Sequence, residues 1–104
     1  MQRGEAWCAD LPKPIGRRPV VILSRNRAIQ VREYVTVAEV TRTIRNIPVE
    51  IALGPEDGLP KRCIVNLDVI NTIPKNLLTE RITVLSAAKI EEIESALRFA
   101  LDLS

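Results

Sequence analysis

The residues of this chain best suited to chemistry are the two arginines in Gly16-Arg17-Arg18-Pro19-Val20-Val21-Ile22-Leu23-Ser24. Pro19 fixes its own φ and pushes Arg18 out of the helical region, so Arg18 enters the apolar run already extended. The run Val20-Val21-Ile22-Leu23 reads as a buried strand, because branched aliphatic residues in succession fill the middle of a sheet. A guanidinium is thereby held at the end of a rigid element, which is how a positioned charge for an anionic substrate is built. A solvated arginine pair at a strand start is the competing reading of the same residues.

What the chain lacks narrows the chemistry further. It has no histidine, which removes the usual general base and the commonest metal ligand. Cys8 and Cys63 are the only soft ligands, too few for a structural zinc site, so neither a metal nor a cofactor is expected. The N-terminal Met1-Gln2-Arg3-Gly4-Glu5 lacks an apolar leader, and no run approaches membrane-spanning length. The expectation is a cytoplasmic protein with no membrane association and two reduced thiols in structural positions.

At 104 residues, the chain has the size of one domain, spanning 1–104, with one core. Its apolar residues are mostly Ile, Val, Leu and Ala, with one Trp, one Tyr and one Phe, so that core must be aliphatic. The same scarcity argues against a nucleic-acid platform of stacked rings. Charge is uneven: residues 1–47 carry nine Lys/Arg against four Asp/Glu, and residues 48–104 carry six against nine. A basic half of this kind attracts phosphate if it clusters in space.

The elements that must position these groups follow from pattern. Arg3 to Asp10 alternates as a first strand, with Ala6 and Cys8 on one side and Trp7 and Ala9 on the other. Leu11-Pro12-Lys13-Pro14-Ile15-Gly16 ends it. Arg18 to Ser24 is the second strand, and Arg25 to Gln30 a loop or single helical turn. Glu33 to Thr43 gives a third strand with Val35, Val37, Ala38 and Val40 as core. Pro48 to Leu53 is a fourth, alternating at Val49, Ile51 and Leu53, and Gly54 to Pro60 is a loop. Cys63 to Ile73 makes one long strand or two with a bend. Lys75-Asn76-Leu77-Leu78 forms a helical turn, and Arg81 to Leu85 is the last strand. Ser86 caps a helix whose apolar stripe runs Ile90, Ile93, Leu97 and Ala100/Leu101. The fold class is mainly β (α+β): a small, strongly bent sheet or partly closed barrel of about six strands with a C-terminal helix.

Four segments in order resemble the MazF/PemK family of toxin endoribonucleases. They are Arg3-Gly4-Glu5-Ala6-Trp7-Cys8-Ala9-Asp10, Gly16-Arg17-Arg18-Pro19-Val20-Val21-Ile22, Val37-Ala38-Glu39-Val40-Thr41, and the stretch from Gly58-Leu59-Pro60 through Val65-Asn66-Leu67-Asp68 to Ile73. The resemblance implies an SH3-like β-barrel that forms homodimers. It implies metal-independent cleavage of single-stranded RNA, often messenger RNA, at a short sequence, and neutralisation by a cognate antitoxin.

Carried over residue by residue, Arg18 matches the family's catalytic arginine and Thr41 its catalytic threonine. RNA supplies its own nucleophile, the 2′-hydroxyl, so the catalyst needs geometry, charge stabilisation and proton management. A planar guanidinium can take two phosphate oxygens and stabilise the pentacoordinate transition state, whereas an arginine is a poor proton donor. Thr43, two residues beyond Thr41, faces the same way in an extended strand. Asp68 aligns with an acidic residue that acts as base or nucleobase contact in some members. Asn66 stands where some carry arginine, so the pair is expected to support substrate binding or cap a turn. Arg17, Arg25, Arg27, Arg42 and Arg45 are candidates for holding the RNA backbone, with salt-sensitive binding as the consequence. Glu5 is expected to pair with a cation in a structural role. The Leu11–Gly16 loop is short for the family.

A competing reading is a non-catalytic toxin or binding module on the same barrel that inhibits a protein target such as DNA gyrase, since fold alone does not settle activity. A plain interaction domain is a third.

Overall fold

The computed structural model describes residues 1–104, and its strands form one sheet buried on both faces. β1 (Glu5–Asp10) and β2 (Arg17–Ile22) pair antiparallel, with Ala6 opposite Val21 and Asp10 opposite Arg17. The turn between them is tight: Leu11 N–H donates to the Gly16 carbonyl at 3.1 Å, and Ile15 N–H to that of Pro12 at 3.1 Å. After β2, a short helix α1 (Asn26–Val31) turns the chain back into β3 (Tyr34–Thr41). β4 (Glu50–Leu53) and the long β5 (Cys63–Pro74) follow, then β6 (Leu78–Val84) and helix α2 (Ala87–Ala100). Single 3-10 turns occupy Pro55–Asp57 and Lys75–Leu77.

The strand order is β4-β5-β3-β2-β1-β6, all neighbours antiparallel. β4 and β6 are the two edges and do not pair, so the expected barrel is an open, curled half-barrel. Its bending coincides with register breaks in β1 against β6 and in β3 against β5. Extra residues at such breaks bend a strand and increase its twist. The break in β3 opposes Asn66–Val69 of β5 to the single residue Glu39, which is the bend expected within the Cys63–Ile73 strand.

Burial on both faces explains the unbroken apolar run of β2. Val20 and Ile22 enter one core with Ala9, Ile29, Val35, Val37, Ile73 and Leu78. Val21, between them, enters the other with Ala38, Val40, Leu53, Val65, Leu67 and the helix residues Ile93 and Ala96. Each such aliphatic side chain contributes about 1.5–3 kcal/mol by leaving water. All four core residues expected in β3 are buried. The expected facing of β1 holds: Ala6 enters one core, whereas Ala9 lies in the other with Trp7 packed against it, and the two register breaks against β6 leave the β1–β2 ladder unbroken. In α2, Ser86 accepts from Lys89 N–H at 3.2 Å as the predicted cap. The expected stripe packs on the core, with Ile93 and Ala96 buried and Ile90, Leu97 and Ala100 partly buried against it, while Leu101 lies past the helix end and is exposed. Lys89 Nζ reaches across to the Ala52 carbonyl at 2.6 Å, which blunts the free edge of β4.

One backbone position and one buried carboxylate fix the chain near the sheet ends. Gly58 has φ +93 and a Cβ there would strike the Thr83 side chain, so only glycine carries the chain from the 3-10 turn into Leu59-Pro60-Lys61. At the other end, Glu5 is 5% exposed. Its Oε1 accepts from Gln2 N–H at 2.9 Å and Trp7 Nε1 at 2.9 Å, and its Oε2 lies 3.5 Å from Arg81 Nη1. This is the structural pairing expected for Glu5. Burial alone would raise its pKa, but the Trp7 and Gln2 hydrogen bonds, the N-terminal ammonium and Arg81 outweigh it and hold the carboxyl below its ordinary 4.5.

A depressed folded-state pKa gives stability that is present above the unfolded value and lost as pH falls through the folded one. Urea midpoints measured below about pH 4.5 should therefore fall steeply for the wild-type chain. Glu5→Gln should be less stable at pH 7 and show a flatter acid limb. An unchanged acid limb in Glu5→Gln would remove Glu5 from the pH dependence.

Candidate functional site

The site opens where one ladder stops. β2 and β3 pair from Ile22–Val37 to Val20–Glu39 and no further, whereas β2 stays paired with β1 through Pro19, Arg18 and Arg17. Pro19 has no N–H to give a ladder, and the two central strands part at that residue. Continuing the β2–β3 register by two residues would set Arg18 across from Thr41. Instead of a closed sheet there is a cleft of about 570 Å³ between them.

Its walls come from three parts of the chain: Arg17, Arg18 and Pro19 of β2; Val40, Thr41, Arg42 and Thr43 at and beyond the end of β3; and Leu59, Pro60, Lys61 and Cys63 leading into β5. Four lining residues are cations and none is acidic, so the cleft favours anions. Low-dielectric walls on Val40, Leu59 and Cys63 strengthen that field. Arg18 and Thr41, the two residues matched to catalytic positions, thus share one cleft, together with Arg17, Arg42 and Thr43 from the substrate-binding set.

Individual side chains have distinct surroundings. Arg18 Nη1 donates to Glu39 Oε1 at 2.9 Å, and the arginine side chain is 34% exposed. Arg17 is exposed and only 3.9 Å from Glu80, a loose surface pair that holds little energy. β3 ends at Thr41, so Thr43 does not continue an extended strand as expected. Thr41 Oγ1 accepts from Thr43 N–H at 3.3 Å, which turns the chain and leaves the hydroxyl hydrogen free to donate.

Three expected contacts lie elsewhere. Asn66 and Asp68 do not line the cleft, and they differ in exposure: Asn66 is buried and Asp68 exposed. The register break displaces them, and Asp68 N–H donates to Asn66 Oδ1 at 2.9 Å, the turn-capping alternative. Arg25 is exposed at the start of α1, outside the cleft lining. Arg27 is exposed on α1 and Arg45 on the segment after Thr43. Both cysteines are free. Burial, then Asp57 and Glu56, push the Cys63 thiol up, which keeps it protonated at neutral pH. No three His, Cys, Asp or Glu side chains converge anywhere.

Two glutamates that matter here escaped the sequence reading. Glu39 had a signal, a lone carboxylate inside the apolar run Val35–Val40, where charge must find a partner. Glu50 had none, because the alternation of Val49, Ile51 and Leu53 assigns it to the outer face. Its side chain is only 2% exposed. Oε1 accepts from Arg45 N–H at 2.8 Å and Asn46 N–H at 3.1 Å, and Oε2 lies 3.8 Å from Arg45 Nη1. The carboxylate thereby latches the segment after Thr43, including Asn46 in a left-handed conformation at φ 57.

A family model described as PemK-like, MazF-like toxin of type II toxin–antitoxin system matches residues 2–101. A probable endoribonuclease MazF5 of Mycobacterium tuberculosis is 40% identical over 103 residues, covering 98% of this chain and 94% of the relative. An endoribonuclease MazF of Staphylococcus saprophyticus is 33% identical, covering 99% and 92%. Among solved structures, an endoribonuclease in complex with its cognate antitoxin from a mycobacterial species superposes with a TM-score of 0.90 at 33% identity, covering 100% of this chain and 97% of the other. The Mycobacterium tuberculosis toxin MazF-mt6 superposes with a TM-score of 0.89 at 31% identity, covering 96% and 98%.

The Glu50 latch predicts local loosening on its removal. In Glu50→Ala the Arg45 and Asn46 amides should exchange with deuterium at least tenfold faster, and stability should fall by about 1–3 kcal/mol. Unaltered protection at those two amides would show that the segment is held by something else.

Proposed function

The chain belongs to the PemK-like, MazF-like toxin family of type II toxin–antitoxin systems, and from that premise we propose that it is an endoribonuclease toxin cutting single-stranded RNA. The observation that carries the reading is one acid-free cleft holding Arg18 and Thr41 together among Arg17, Arg42 and Lys61. A phosphodiester strand fits such a cleft by charge, and its affinity falls steeply with salt.

In the reaction, the 2′-oxygen attacks the adjacent phosphorus and gives up its proton to solvent. The bond from phosphorus to the 5′-oxygen breaks and that oxygen takes a proton from solvent, leaving a 2′,3′-cyclic phosphate and a 5′-hydroxyl. Arg18 stabilises the extra negative charge on the pentacoordinate phosphorus with the donors that Glu39 does not occupy. Thr41 donates its free hydroxyl hydrogen to a non-bridging oxygen. Arg17, Arg42, Thr43 and Lys61 hold the flanking phosphates. Asp68 and Arg25 are contacts for RNA running beyond the cleft, and Asn66 acts through the turn it caps. The chemistry uses no metal and no cofactor.

The same reading makes the protein a cytoplasmic homodimer neutralised by a cognate antitoxin, whose acidic residues would compete for the cleft cations. No helix is long and apolar enough to cross a membrane.

The test is incubation with long single-stranded RNA in EDTA, followed by mapping of the ends. Cyclic-phosphate and 5′-hydroxyl ends in EDTA are expected. Cleavage that EDTA abolishes would overturn the metal-free mechanism, and no cleavage at low salt would overturn the enzyme. Arg18→Ala and the near-isosteric Thr41→Val should each lower the rate about 10²-fold or more. Arg18→Ala also strands the Glu39 carboxylate, so a loss of stability of about 1–3 kcal/mol accompanies it. Thr41→Val should melt like the wild type.

A further inference from the structure

Glu39 occupies a position the fold does not require to be charged. It lies in a central strand with Ala38 and Val40, both buried in the core, on either side, faces Val20 across the β2–β3 ladder, and is 8% exposed. It also sits at the break in the β3–β5 register, where Ala38 pairs with Ile70 and Val40 with Val65, so no β5 residue pairs with it. Burying a carboxylate there costs solvation, and an ion pair seldom repays that cost in stability over an apolar side chain. Its one ion pair is with Arg18 Nη1, at 2.9 Å.

We propose that Glu39 is a positioning residue for Arg18: it clamps one end of the guanidinium from the neighbouring strand and sets the plane in which the remaining donors meet the scissile phosphate. The inference rests on the nuclease reading above and deepens it. Arginine side chains are long and lose much rotamer freedom when fixed. A clamp that fixes the fork beforehand moves that cost out of the reaction and into folding.

The clamp has an opposite effect on ground-state binding. Glu39 is a built-in counter-ion that neutralises part of the Arg18 charge, so RNA meets a weaker cation than the arginine alone would be. Charge that develops on the pentacoordinate phosphorus draws on Arg18 more strongly than the resting phosphate does. The pair therefore discriminates in favour of the transition state, which is what raises kcat rather than affinity.

This gives a signature that a merely structural role lacks: removing the carboxylate should tighten binding while slowing cleavage. The experiment compares the wild-type full chain, Glu39→Gln, Arg18→Ala and the double variant. Cleavage is read on a long messenger transcript. Binding is read on a 2′-deoxy strand of the most frequently cut segment, across a salt series. Glu39→Gln should lower kcat about tenfold, tighten the 2′-deoxy strand several-fold at low salt, and steepen the log-affinity slope against log salt by about 0.7, the increment for one more cation meeting a single strand. In the Arg18→Ala background, Glu39→Gln should cost no further kcat, because its effect passes through the arginine.

Wild-type values of both kcat and affinity in Glu39→Gln would overturn the proposal. So would parallel losses of kcat, affinity and melting temperature, the mark of a structural residue. A further kcat loss in the Arg18→Ala background would overturn it as well, by making Glu39 act on the RNA directly. A wild-type chain that leaves RNA uncut sinks the nuclease reading and this inference with it, whereas a cutting wild type with an indifferent Glu39→Gln sinks only the inference.

Discussion

Burial of the central strands on both faces constrains everything else in this molecule. β2 sends Val20 and Ile22 into one core and Val21 into the other, so neither face of that strand is available for polar work. Reactive groups can then be placed only where pairing stops and strands separate. The absent N–H of Pro19 marks that place, and Arg18 on one side and Thr41 on the other are the polar residues nearest to it. The cleft is thus a consequence of how the sheet ends, and its rigidity is inherited from the cores behind it.

The same constraint governs the carboxylates. Glu5, Glu39 and Glu50 have side chains largely withdrawn from water, and each meets donors that hold a different part of the chain. Glu5 gathers the N-terminal residues, Trp7 and Arg81. Glu50 takes the backbone N–H groups of the segment after Thr43. Glu39 alone is committed to a cleft cation. None of the three lines the cleft, which keeps its field positive where a phosphate strand would lie. Exposed pairs such as Arg17 with Glu80 are too loose to matter in comparison.

Legibility along the chain followed how local each cause was. The apolar run of β2, the Leu11–Gly16 turn, the Ser86 cap and the Val35–Val40 core depend on a few adjacent residues, and sequence pattern finds them. Asn66 and Asp68 show where pattern fails. Two residues apart on a strand implies similar surroundings, yet at the break in the β3–β5 register Asn66 is a buried cap and Asp68 an exposed carboxylate. Thr43 failed for a related reason, because the Thr41 hydroxyl captures its N–H and ends the strand. Glu50 was illegible although its partners are close in the chain: alternation assigns it to the outer face of β4, and pattern does not show that the segment holding Arg45 and Asn46 folds back over it.

The order of elements and the aliphatic character of the core were set by composition and periodicity, and the family, with Arg18 and Thr41 matched to it, by the resemblance of short motifs, since each is written in neighbouring residues. Tertiary structure alone decided that the sheet stays open between β4 and β6, that these two side chains border one cleft without an acid, and that Glu39 holds the arginine. Those outcomes depend on strand register and on where pairing breaks, and register is a relation between segments distant in the chain, which no local stretch of sequence encodes.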